Sequence, residues 1–532
     1  MPSQFIPYKD TGYFSKLICD YLDENTAIKP FYNRFPSLEN FELQIEEKRK
    51  TFTKAQRQLL AKRIMLQYGY NSMSQATLSN IDLLKENNTF TITTGHQLNL
   101  FTGPLYFLYK IYSVINLCEQ LKEKYPNFHF TPIYWMATED HDFEEINFFN
   151  LYNKKMEWKR ESFGGVGELS TEGLENVKRQ IQQVFGESNN GKALTSLFTE
   201  AYLKHDNLAD ATRYLANQLF HEQGLVIVDG NDPELKKCFI PYAERELKEN
   251  LSYKEVTKTT KKLVAQGFAE QVHPREINLF YLQENLRERI IERDGTFYIN
   301  DTDITFTKEE IIKKLHENPE RFSPNALLRP LYEEVILPNL CYIGGGGELA
   351  YWFQLKDYFE EVKVPFPILL LRNSALLVPD VLSKKLEKLN VKIEDLFLPK
   401  HEFITKRTKE ISKIDIDFSK QKEHLQKQFE DLYKIAEQTD KSFLGAVAAQ
   451  EKKQLNGLDN LEKRLLKAQK RNFSEEINRI SKIQDELFPK HSLQERHHNF
   501  SEFYLEYGEK LLDILKEELN PLDMRFTIIE LE

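Results

Sequence analysis

Residues 89–110 read Thr-Phe-Thr-Ile-Thr-Thr-Gly-His-Gln-Leu-Asn-Leu-Phe-Thr-Gly-Pro-Leu-Tyr-Phe-Leu-Tyr-Lys. Thr89 to Thr94 is a β-rich run that stops at Gly95-His96-Gln97, and a helix is expected to open near Gly103-Pro104, with Thr102 as its cap. This strand–polar loop–helix order puts Gly95, His96 and Gln97 at the carboxyl end of a strand, where an open parallel sheet gathers its ligands. The helix start beyond it supplies unpaired N–H groups and a positive dipole end, suited to an anion. An ordinary βα loop, whose glycines only turn the chain, accounts for the same residues equally well.

Working outward, Leu108, Ile111, Ile115 and Cys118 follow helical spacing, and Phe107 and Val114 add a second apolar side, so this helix is expected to be buried broadly. It ends before Tyr125-Pro126. A second strand, Phe130 to Ala137, runs into Thr138-Glu139-Asp140-His141-Asp142. Strand, helix, strand is a βαβ unit, which makes a parallel sheet. Neighbouring strands lie about 5 Å apart, so Gly95-His96-Gln97 and Glu139 to Asp142 can line one pocket.

The 532 residues predict two or three structural units, and 41% hydrophobic content supports a substantial core. Residues 1–88 read as a helical segment packing on the core, with Leu38, Phe41 and Ile45 on one face and Leu60, Ile64 and Tyr68 on another. An α/β core with a parallel sheet is expected over 89–379. Residues 277–305 alternate like antiparallel strands, turning at Glu292 to Gly295. From 380 to 510 the composition shifts to Lys, Glu, Gln and Leu. Leu425, Phe429, Leu432 and Ala436 form one seam and Phe473, Ile477, Ile480 and Leu487 another, so an antiparallel coiled coil is expected. Its reversal is placed at Ser442 to Gln450 and Asn456-Gly457, and residues 511–532 return to the core with a strand at 525–529.

The formal net charge of −10 leaves no basic excess for a nucleic-acid partner. Cys19, Cys118, Cys238 and Cys341 form no CxxC pair, which removes a zinc ribbon and fits a reducing cytoplasm. Met1 to Leu22 has no basic stretch leading into an apolar one, and no apolar run is long enough to span a membrane. The run Gly344-Gly345-Gly346-Gly347 precedes a helix expected over 349–359 and lets backbone amides approach a phosphate, yet it matches neither the dinucleotide fingerprint nor the P-loop. Gly186 to Lys192 approaches the P-loop pattern, but Ala193 replaces its hydroxyl. Glu139, Asp140, His141 and Asp142 suit metal ligation, the lesser reading, general-base work by His141 or His96, or, equally well, a solvated acidic turn. Arg329 and Arg372, beside apolar segments, suit a carboxylate or phosphate clamp or structural ion pairs.

These blocks together resemble the bacillithiol biosynthesis cysteine-adding enzymes: Thr94 to Gln97 with Leu100 to Tyr106, Thr138 to Glu145, Ser323-Pro324-Asn325 with Leu328-Arg329-Pro330, Gly344 to Tyr351, and Leu493 to Arg496 with Tyr507-Gly508. The resemblance implies a ligase joining cysteine to glucosaminyl malate through an amide bond, the last step to bacillithiol, on a Rossmann-like core over 89–379 with connective insertions at about 150–320, related to class I aminoacyl-tRNA synthetases, and with a coiled coil pairing two chains. It implies catalytic roles for His96, Asp140 and His141. Substrate contacts are implied for Gly95, Gln97, Glu139, Asp142, Asn325, Arg329, Glu348, Tyr351 and Arg372. Nucleotide contacts are implied for Gly103, Gly344, Gly345, Gly346, Gly347 and Ser374, with ATP and Mg as co-substrate and no tightly bound cofactor or resident metal. His96 stands where the family usually has glutamine and Gly346 where proline is common, and the two synthetase signature loops are absent. Another amide ligase with a different amine acceptor, or a non-catalytic dimer scaffold, are the alternatives.

Overall fold

Five parallel strands form the central sheet of the computed structural model, which describes residues 4–69 and 73–532. They are β1 (Thr89–His96), β2 (His129–Met136), β3 (Val226–Asp229), β9 (Asn339–Gly344) and β10 (Ile368–Leu371), numbered together with the inserted strands below. Their order is β10-β9-β1-β2-β3, every neighbouring pair parallel. The chain thus winds outward one way through β2 and β3 and the other way through β9 and β10. The reversal falls between β1 and β9, which is where open α/β sheets leave a crevice at their strand ends.

Strand β1 is buried on both faces, the pattern of a parallel sheet covered above and below. Its alternate threonines are held by a polar column. Thr91 and Thr93 hydroxyls donate to Asn339 Oδ1, Asn339 Nδ2 donates to Glu334, and Lys48 Nζ donates to Glu334 at 2.7 Å, all of them buried. Breaking such a buried pair from one side leaves a charge without a partner, at a cost of about 3–5 kcal/mol. The same column ties the N-terminal segment to the sheet. Helix Leu38–Thr51 buries Phe41 and Ile45 in one cluster with Phe90, Ile92, Val114 and Ile343.

Helix α1 (Tyr106–Lys124) packs on this sheet and is buried almost all round, Leu108, Ile111, Ile115 and Cys118 included. It begins later than the sequence suggests, and Thr102 is not its cap. Phe101, Thr102 and Gly103 all take left-handed backbone conformations, with φ of 48°, 68° and 62°. Such conformations persist only when the surroundings impose them. Here Asn499 Nδ2 donates to the carbonyls of Phe101 and Gly103, Phe101 N–H donates to Tyr202 Oη, and Leu105 N–H donates to the His498 carbonyl.

An antiparallel sheet lies in the insertion, built from β4 (Leu279–Gln283), β5 (Leu286–Arg293), β6 (Thr296–Ile299), β7 (Thr305–Thr307) and β8 (Phe322–Pro324). Its order is β7-β6-β5-β4-β8. After it come helix α2 (Arg329–Ile336) and, beyond β9, α3 (Gly346–Phe353). The helix expected over 349–359 is two helices, α3 and Lys356–Val362.

The chain divides into two compact units, residues 1–376 with 494–529 and residues 377–493 with 530–532. In the first unit the closing strand pairs antiparallel with Gln4–Ile6, for example Phe526 with Ile6. In the second unit α4 (Ser419–Ala436) and α5 (Lys441–Asn472) form a helical hairpin, followed by α6 (Ser474–Leu487). The reversal is at residues 437–440, where Asp440 caps α5, and not at Asn456-Gly457, which lies inside α5. With a partner helix to pack on, α5 carries the glycine at a cost of about 1 kcal/mol. Phe429 and Ala436 are buried in the seam with Val447, whereas Leu432 points outward at 42% exposure.

Candidate active site

A cavity of about 770 Å³ opens at the carboxyl ends of β1 and β2, beside the sheet's reversal point. Gly95, His96 and Gln97 contribute one wall, Glu139 to Asp142 a second, and Arg287, Arg289 and Asn325 from the insertion a third. Lys110, Tyr342, Glu348 and Tyr351 line it as well. The volume is in the range usual for small-molecule sites, about 300–1,000 Å³.

The two strand-end clusters meet directly. Gln97 Nε2 donates to Asp140 Oδ2 at 2.9 Å and to Glu145 Oε2 at 3.1 Å. Asp140 Oδ1 accepts the His141 backbone N–H at 2.8 Å. The guanidinium of Arg287 donates to His141 Nδ1 and lies 3.9 Å from the Asp140 carboxylate. A guanidinium has no lone pair to offer, so His141 Nδ1 is the acceptor and a neutral ring carries its proton on Nε2. His141 is therefore poised to donate, and Asp140 is the acceptor of the pair. Potential ligand atoms of Asp140, His141 and Asp142 lie within 4.8 Å of one another. With Nδ1 accepting from Arg287 and the proton on Nε2, the neutral ring offers no lone pair to an ion.

His96 is buried, with its ring edge-on to Tyr106 and tilted on Phe107. Burial above all, then the charges of Lys110 and Arg372, hold its pKa well below the usual histidine range. It is consequently neutral at physiological pH and offers no positive charge to a phosphate. Its Nε2 is buried without a hydrogen-bond partner.

Lys110 is the functional candidate that sequence reading missed. At 3% side-chain exposure its ammonium donates to the Gly95 carbonyl at 2.7 Å and to Glu348 Oε1 at 2.6 Å. Tyr342 Oη donates to the other Glu348 oxygen at 2.7 Å. Burial works against the Glu348 charge, yet Lys110 outweighs it and keeps that carboxyl below its ordinary range. Gly95 belongs to this arrangement because a side chain there would stand 3.2 Å from the Tyr342 hydroxyl. A lone lysine between Tyr109 and Ile111, on a helix apolar all round, was the available signal.

The remaining candidates divide. Arg329 lines the cavity, ion-paired to buried Glu333 and donating to Tyr351 Oη at 3.3 Å. Asn325 lines it too, but its side chain is spent on Asn278 and on the backbone of Leu327 and Leu328. Glu139 faces the cavity while paired with buried Lys236. Arg372 lies outside: its guanidinium donates to Glu495 at 2.7 Å, to Ser374 Oγ and to the Asn373 carbonyl. Ser374 in turn donates to Glu495, so both residues have structural partners.

Gly103, Gly344, Gly345, Gly346 and Gly347 do not line the cavity either. A side chain on Gly103 would strike Asn99 at 2.6 Å, and Gly346 packs against Ile18. The six residues expected to hold a nucleotide thus form no site on this cavity.

A family model described as the bacillithiol biosynthesis BshC N-terminal Rossmann-like domain matches residues 1–373, and one for the BshC C-terminal coiled-coil domain matches residues 375–531. The chain belongs to the BshC family. A Christiangramia forsetii protein named "Putative cysteine ligase BshC" is 56% identical, covering 99% of each chain. One of the same name from Flavobacterium johnsoniae is 55% identical over 99% of this chain and 100% of its own, and one from Bacillus cereus is 29% identical over 87% and 89%. A solved Campylobacter jejuni structure, described as a putative arginyl-tRNA synthetase, aligns with a TM-score of 0.21 at 9% identity over 83% of this chain and 95% of its own, too low to establish a shared fold. Both BshC domains are thus accounted for: the Rossmann-like one carries the cavity and the coiled-coil one carries the helical hairpin. No helix among the described residues is long and apolar enough to cross a membrane.

Proposed function

We propose that this BshC protein joins the carboxyl group of cysteine to the amine of glucosaminyl malate, forming the amide of bacillithiol in the last biosynthetic step. The observation that supports it best is the Gln97–Asp140 bridge, which holds an acceptor carboxylate at the mouth of a cavity large enough for an amino sugar. Asp140 takes one proton from the acceptor ammonium and so frees the nitrogen lone pair, which bonds to the cysteinyl carbonyl carbon; as the leaving group departs with its bonding pair, the second N–H proton passes to solvent. His141, protonated on Nε2, donates a hydrogen bond to the same substrate, and Lys110, paired with Glu348, fixes the Gly95 wall of the pocket. ATP with Mg as activating co-substrate is part of the proposal, without residues assigned to it. So are pairing of two copies through the coiled coil and action in the cytoplasm.

Purified protein incubated with cysteine, glucosaminyl malate and ATP should yield bacillithiol by mass spectrometry. Leaving out each component in turn tests its need, and turnover without ATP would remove the nucleotide from the reaction. No product from a folded protein under any combination would overturn the assignment. Light scattering tests for the two-chain assembly.

A further inference from the structure

Four guanidinium groups line the cavity, and their partners differ. Arg329 is spent on Glu333 and Tyr351, and Arg287 on Asp140, His141 and, at 3.4 Å, Ser323. Arg275 and Arg289 face the same cavity, and among the described residues no carboxylate lies within ion-pairing distance of either. An unpaired arginine on open surface is ordinary. Two in one pocket whose lysine and other arginines are ion-paired are a different matter, since each adds positive potential in a partly enclosed space, opposite the Asp142 carboxylate.

Both are held by ordered structure. Arg289 is two residues from Arg287 on β5, so the two side chains leave the same face of the strand about 7 Å apart. Arg289 stands opposite Phe280 in the antiparallel register, and the Arg287 guanidinium stacks on that ring at 4.0 Å. Arg275 is in a turn clamped on both sides by Asn278, which accepts from the Arg275 N–H at 3.1 Å and donates to its carbonyl at 2.8 Å. Asn278 is itself fixed by buried Ser252 and Glu246. A buried carboxylate network thus sets the backbone from which Arg275 reaches the cavity.

We propose that Arg275 and Arg289 form a dicarboxylate subsite, each guanidinium taking one carboxylate of the acceptor's dicarboxylic acid moiety. Arg287, already paired, keeps Asp140 and His141 at the amine end of the same substrate. This subsite rests on the ligase reading above. It reassigns carboxylate recognition from Arg329 and Arg372, whose charges are matched inside the protein, to two residues that have charge to spare. Bidentate arginine pairing gives such recognition both strength and direction.

The test uses the full chain and two probes. Calorimetric titration with L-malate should show binding, with L-lactate at least tenfold weaker because it offers a single carboxylate. Arg289→Gln and Arg275→Gln should each weaken malate binding about tenfold. In turnover, each should raise KM for glucosaminyl malate by a similar factor while leaving KM for cysteine and kcat within about twofold. Circular dichroism checks folding, and Arg289→Lys should recover part of the affinity. Equal malate affinity and equal KM in wild type and the folded double variant would overturn the subsite. Malate binding lost in the variants, with no ligation by wild type, would keep the subsite and sink the ligase reading instead.

Discussion

The side-chain amide of Gln97 donates to the carboxylate of Asp140 at 2.9 Å, joining the ends of two adjacent parallel strands. Gln97→Ala removes a hydrogen bond to a charged group, worth about 1.5 kcal/mol, and leaves Asp140 free to turn. We expect kcat/KM for ligation to fall about tenfold, with the melting temperature nearly unchanged. A steady-state assay with varied acceptor checks this, and an unaltered kcat/KM would separate the bridge from function.

Asp140→Asn should cost more than His141→Ala. Loss of a positioned proton acceptor lowers rates by about 10²–10⁴, whereas His141 contributes a donor that water can replace in part. Single-turnover rates of the two folded variants decide the order, and a larger defect in His141→Ala would reverse the assigned roles.

Lys110 and Glu348 should behave as one unit. Lys110→Met leaves the Gly95 carbonyl without this donor and the half-buried Glu348 charge with the Tyr342 hydroxyl in place of its ion-pair partner, at about 3 kcal/mol. Adding Glu348→Gln should return part of that loss. Denaturant unfolding of the four proteins of the cycle gives the coupling, expected at about 1–3 kcal/mol. Additivity of the two changes would contradict a working pair.

His96 gives a pH signature. Its folded pKa lies well below the unfolded value of 6.5, chiefly through burial. Above that value both states hold the ring neutral and the group has no effect. As pH falls through it, the unfolded chain binds a proton that the folded chain refuses, so folding loses stability, by at most about 1.4 kcal/mol per pH unit. His96→Gln lacks this proton. The stability difference, wild type minus variant, should be flat above about pH 7.5 and decline steadily toward pH 5. Thermal melts across that range test it; a flat difference would mean that His96 protonates freely in the folded protein.

In the helical hairpin, Phe429→Ala should destabilise its unit by about 3 kcal/mol, the lower end for a buried phenylalanine, because the cluster it joins is small. Leu432→Ala, on the exposed side, should stay within about 0.5 kcal/mol. Hydrogen exchange across residues 419–472 reports both, and equal effects would place Leu432 in the seam after all.

Strands β1 and β2 were legible because each is a continuous apolar or β-branched run, and His96 and Asp140 were legible because chain order puts them at strand ends. The turn at Phe101 to Gly103 was not, since neither Phe101 nor Thr102 announces a left-handed backbone; Asn499 and Tyr202 impose it from far along the chain. Arg372 and Ser374 looked available for a ligand only while Glu495, 123 residues from Arg372, was unseen. Lys110 reads as one of many surface lysines until its helix is known to be buried on every side. In the hairpin, Asn456-Gly457 resembled a turn, while the true reversal was marked by the capping Asp440.

The walls of the cavity have separate origins. His96, Asp140 and Lys110 stand on or just beyond the parallel sheet and its first helix, whereas Arg275, Arg287 and Arg289 arrive with the inserted antiparallel sheet. On the reading proposed above, the proton acceptor and the groups that sort acceptors thus belong to different parts of the chain, and Arg287, on the inserted sheet yet holding Asp140 and His141, ties the two together.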